Sequence, residues 1–67
     1  MEKQTWYVAL VYVQQGTTRV ENKLILGNTY AVSEAEAIGK VMLRNIEETK
    51  GYSLLISAAM LHEEPTT

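Results

Sequence analysis

Residues 5–14 read Thr-Trp-Tyr-Val-Ala-Leu-Val-Tyr-Val-Gln, a run of β-branched and aromatic residues unbroken by glycine or proline, which is the composition of a strand. Side chains alternate across a strand, so one face carries Trp6, Val8, Leu10 and Tyr12 and the other Tyr7, Ala9, Val11 and Val13. Both faces are apolar. A strand of this kind belongs in the middle of a sheet and needs cover on each side, and no other feature of the chain restricts its fold so tightly.

The cover on one side comes from residues 33–51. Ser33 is placed to cap a helix, and Glu36, three residues on, completes a capping box. Ala35, Ile38, Met42, Ile46 and Thr49 recur at intervals of three and four and form an apolar stripe, flanked by Val41 and Leu43. On the opposite ridge the spacing pairs Glu36 with Lys40 and Arg44 with Glu48. Lys50 suits the negative end of the helix dipole, and Gly51 can take the left-handed conformation that ends a helix. The predicted helix therefore spans 34–50. Gly39 interrupts it at a cost of roughly 1 kcal/mol relative to alanine, and its place at the edge of the stripe suggests that a neighbour approaches closely there.

A turn at residues 15–17 leads to a second strand over 18–26, with Val20, Leu24 and Leu26 on one face and Arg19, Glu21 and Lys23 on the other, the pattern of an edge strand. Gly27-Asn28 fits either a hairpin turn or the end of a bulged strand; the second reading is preferred, with 29–32 as an extended lead into the helix. A third strand follows over 52–61, with Leu54, Ile56, Ala58 and Met60 on one face and Leu55, Ala59 and Leu61 on the other. Connection lengths and directions then give an α+β fold of β-β-α-β order: an antiparallel three-stranded sheet in order 2-1-3 with one helix packed on one face. Residues 1–67 are expected to form a single domain with flexible ends at 1–4 and 63–67.

The absence of cysteine excludes a disulfide framework, and a single histidine argues against structural zinc; neither a metal nor another cofactor is expected. A net charge of −2, with six scattered Lys and Arg, gives no electrostatic footprint for nucleic acid, so that partner is not expected either. No apolar run reaches the ~18 residues of a membrane span and the first residues lack a signal-peptide pattern, which makes the expected compartment the cytoplasm.

One helix leaves one sheet face uncovered, and a small domain with such a face is expected to self-associate, face to face or edge to edge, or to bind a partner protein. The candidate binding residues are Trp6, Tyr7 and Tyr12, which offer aromatic surfaces, with Arg19 and Lys23, which could hold a phosphate or an acidic group. Tyr30 and Tyr52 add further rings. His62, Glu63 and Glu64 are read as a solvated tail, and Ser33, Ser53 and Ser57 lack an activating histidine at workable spacing, so catalysis has the least support among the functional readings.

The order of two strands, a Ser-Glu-Ala-Glu-Ala helix start at residues 33–37 and a closing strand resembles the small β-β-α-β proteins of bacteriophages and mobile elements, some of which are anti-CRISPR or other anti-defence inhibitors. The resemblance is one of layout and carries over no functional residue. It implies a non-enzymatic binding protein that blocks a host protein complex. Alternatives are an oligomer that sequesters a small nucleotide signal at a pocket built from Trp6, a tyrosine and Arg19 or Lys23, a structural or regulatory phage protein, and a small enzyme assembled at an interface.

Overall fold

The computed structural model describes residues 2–14 and 22–62. Three strands, β1 (Gln4–Gln14), β2 (Asn22–Ala31) and β3 (Tyr52–Leu61), and one helix, α1 (Glu34–Arg44), follow in the order β-β-α-β. The sheet is antiparallel throughout, in order β2-β1-β3, so the strand that is apolar on both sides lies at its centre as the sequence predicts. The turn at 15–17, the start of the second strand at 18–21 and the tail at 63–67 lie outside the described residues.

Between β1 and β2 the register is unbroken from Gln4 opposite Ala31 to Val13 opposite Asn22. Gly27-Asn28 is therefore neither a turn nor a bulge. Gly27 lies opposite Val8 inside a continuous strand that carries on to Ala31, and its lack of a side chain has a packing cause: a Cβ built there would lie 3.2 Å from Cγ1 of Val41 on the helix. The close approach expected at Gly39 is at Gly27 instead. A Cβ at Gly39 would meet nothing within 4 Å.

The bulge occurs between β1 and β3. Val11 lies opposite Ile56 but Tyr12 opposite Leu54, which leaves Leu55 as the extra residue. This splits the predicted apolar set of the third strand: Leu54 joins Tyr12 on the helix side, while Ile56, Ala58 and Met60 stay on the other face.

At the start of α1 the Ser33 hydroxyl accepts from the Glu36 N–H at 3.2 Å, as a cap should. The Glu36 carboxylate, however, accepts from the N–H of Val32 at 2.7 Å, one residue before the capping-box position. That hydrogen bond, with the Lys40 ammonium 3.6 Å away, holds the Glu36 carboxyl below the ordinary glutamate range, against a smaller opposing contribution from desolvation.

The helix ends at Arg44, short of the predicted Lys50. Asn45 donates its side-chain amide to the Val41 carbonyl at 2.8 Å, while its backbone N–H turns to Met42 at 3.2 Å. A side chain that competes for a helical carbonyl favours termination, and the chain runs on through turns to Gly51, which takes the left-handed conformation at φ 82°. The predicted stripe is also rotated: Ala37 and Val41 are the buried residues of the helix, Ala35 is exposed, and Leu43 and Ile46 remain 70% and 58% exposed.

The core comprises Val8, Leu10 and Tyr12 from β1, Ile25 and Ala31 from β2, and Ala37 and Val41 from α1. Trp6 closes one end, its indole N–H donating to the Ala31 carbonyl at 3.1 Å. Seven buried side chains make a small core, of the size that gives only a few kcal/mol of net stability in a domain this short.

The two glycines should respond in opposite senses. Gly27→Val crowds the buried Val41 and is expected to cost about 1–3 kcal/mol, whereas Gly39→Ala should stabilise by about 0.5–1 kcal/mol in urea unfolding. Equal effects would refute the assignment of the close approach to Gly27. Because the folded state lowers the Glu36 pKa, its contribution is complete above the ordinary glutamate range and is lost as pH falls through and below it. Glu36→Gln should therefore flatten the acid limb of Tm against pH; an unchanged acid limb would mean that the Glu36–Val32 bond does not contribute.

Candidate functional site: an apolar groove beside the helix

The helix lies across the sheet toward β2, and its basic residues fix it there. Lys40 donates to the Tyr30 carbonyl at 2.8 Å and Arg44 to the Asn28 carbonyl at 2.6 Å. Arg44 does not pair with Glu48 as its spacing suggested, because the helix ends before Glu48 comes round to that ridge. With α1 held over β2, the helix side of the sheet near the bulge is left open.

The opening is a groove of about 420 Å³. Tyr12, Tyr52 and Leu54 of the sheet form its floor; Gly39, Met42 and Leu43 of α1, with Ile46 of the turn after it, form its wall; Thr49 stands at the end. The Thr49 hydroxyl is turned back to the Asn45 carbonyl at 3.0 Å. What remains on the surface is aliphatic and aromatic, with phenols on the floor. Such a concavity can enclose an apolar side chain and orient it against a ring.

Of the four candidate residues that the structure describes, Tyr12 and Lys23 lie opposite each other in the β1–β2 register, and Trp6 and Tyr7 lie apart from them. Trp6 and Tyr12 share the helix side of β1 but lie six residues apart, roughly 20 Å along a strand. Tyr12 is 4% exposed and belongs to the core, with its ring edge also reaching the groove. Tyr7 is on the opposite face, where its ring meets His62 edge-on at a centroid distance of 5.0 Å. His62 continues the β3 pairing, its N–H donating to the Thr5 carbonyl at 2.9 Å, and is not part of a loose tail. Lys23 lies on the helix side: its ammonium donates to the Glu48 carbonyl at 3.1 Å and sits 5.7 Å from the centre of the Tyr52 ring. Arg19 lies outside the described residues.

The groove residues Gly39, Leu43, Ile46 and Leu54 escape sequence reasoning because the groove depends on where the helix stops and where β3 bulges. The one signal was Gly39, a costly mid-helix glycine with no partner in its own chain.

Among the described residues no group of three or more His, Cys, Asp or Glu could hold a metal ion, and no helix is long and apolar enough to cross a membrane. No protein-family model, curated protein or solved structure matches the chain.

Lys23 ties β2 to the turn that forms the end of the groove. Lys23→Met should speed amide exchange across residues 46–51 while changing unfolding free energy by less than about 1 kcal/mol. Unaltered exchange there would show that the tie has no mechanical role.

Proposed function

We propose that this protein is a non-enzymatic binding module that seats an apolar projection of a target protein in the groove beside α1. The observation that carries the proposal is the unused room around Gly39. A mid-helix glycine costs stability, a Cβ there would touch nothing among the described residues, and Leu43 and Ile46 stand exposed alongside it. An occupant from outside the chain accounts for all of these at once.

The chemistry of the lining favours contact over catalysis. Met42, Leu43, Ile46 and Leu54 offer dispersion and desolvation, and the rings of Tyr12 and Tyr52 offer stacking edges; a well-seated leucine or phenylalanine buried there contributes about 1.5–3 kcal/mol. Together with the resemblance in layout to small phage inhibitors, this supports a target that is a surface of a larger host protein complex, blocked by occupation. The compartment that goes with this reading is the cytoplasm of the host cell.

The test is affinity capture from bacterial lysate with the wild-type chain and with Leu43→Asp/Ile46→Asp, both scored by mass spectrometry of proteins and small molecules. Both positions are exposed, so the double variant should keep its fold by circular dichroism. The expected result is a captured protein whose affinity for the variant falls at least tenfold. Equal capture by both chains, or recovery of a nucleotide in place of a protein, would overturn the proposal.

A further inference from the structure

The face of the sheet turned away from α1 is a second apolar surface. The strand registers set its central side chains in rows across the sheet: Leu26, Ala9 and Ala58 form one row, and Leu24, Val11 and Ile56 the next. Leu24, Leu26 and Ile56 are 62%, 71% and 56% exposed. A sheet face open to water normally carries polar residues. Here the described part of the face has no Lys, Arg, Asp or Glu; the charged residues of the described segments precede β1, lie on the helix side at Lys23, or belong to the helix and the turn after it.

Charge, relief and area identify the occupant. In a two-fold contact the same patch serves on both subunits, so fixed charges on it bring like charges together, and an uncharged face avoids that repulsion. Within the first row Ala9 and Ala58 are small and leave, between Leu26, Tyr7 and Met60, a hollow of about 300 Å³, while the adjoining row with Leu24, Val11 and Ile56 is bulky. A two-fold axis lying in the contact plane between these rows sets the ridge of each copy over the hollow of the other. Three strands spaced by about 4.8 Å and ten residues long give a footprint of roughly 450 Å². Two copies therefore bury about 900 Å² in total before side-chain relief is counted, close to the ~1,000 Å² that separates a biological interface from a packing contact. Strand addition at the β2 edge is hindered, since Lys40 and Arg44 already occupy the Tyr30 and Asn28 carbonyls.

We infer that a second copy of this chain covers the open face, forming a two-fold, sheet-on-sheet dimer with the two grooves directed outward. Each subunit then has its apolar surfaces divided between two tasks: the broad face for its own copy and the groove for the target.

Light scattering of the full chain at tens of micromolar should give about twice 7.5 kDa. Leu24→Glu/Leu26→Glu and Leu24→Lys/Leu26→Lys change only exposed positions, and each alone should dissociate at least about 100-fold more readily because like charges face each other across the axis. Mixing the two variants should restore a dimer, which also shows that both are folded. A wild-type monomer overturns the inference, and so does a dimer indifferent to both variants, which would place the contact elsewhere. Leu43→Asp/Ile46→Asp should leave the mass unchanged, so dimerisation and target capture are scored independently.

Discussion

Everything outside the core follows from where one helix rests on a sheet wider than itself. Val41 packs against the bare backbone of Gly27, at a distance that a Cβ would reduce to 3.2 Å, and this seats α1 toward the β2 side. The helix buries only Ala37 and Val41 fully and covers Val8, Leu10 and Ile25 beneath them. Toward β3 it falls short. The floor near the bulge is left as a groove, and the far face of the sheet is left with no cover from the described chain. A single helix–sheet contact thus determines both the protected core and the two apolar surfaces left open.

Three basic side chains reinforce that seat. Lys40 and Arg44 bond carbonyls of β2, and Lys23 bonds a carbonyl of the turn after the helix. Charged groups directed at backbone carbonyls give stronger hydrogen bonds than neutral pairs, and they also hinder further strand pairing at an exposed edge. As a result, neither apolar surface carries these cations among its central residues.

Much of the architecture was legible because it rests on short-range rules. The two-sided apolar pattern of residues 5–14 put β1 at the centre, Ser33 marked the start of the helix, and the third strand runs over Tyr52–Leu61 as its composition indicated. What was not legible depends on competition or on tertiary placement. Asn45 lies among strong helix formers and ends the helix by taking the Val41 carbonyl, an outcome that spacing alone does not reveal. Gly27 and Gly39 look alike in sequence, yet only the first lies under a neighbouring side chain. Leu54 and Ile56 share a parity and would share a face in a regular strand, but the extra residue at Leu55 separates them. Residue type alone pointed to the aromatic and basic binding candidates, and of those described the fold brings Tyr12 and Lys23 together but sets Trp6 at the far end of β1 and Tyr7 on the open face.

The central claim is that the open sheet face is covered in the functional molecule, and the two methionines on opposite sides of the sheet offer the most direct test. Met60 is 67% exposed on the open face of a single chain, whereas Met42 is half-buried against the core. Hydroxyl-radical footprinting of the full chain at micromolar concentration should find Met60 oxidised no faster than Met42. Oxidation of Met60 well ahead of Met42, as its exposure in an isolated chain requires, would contradict the account.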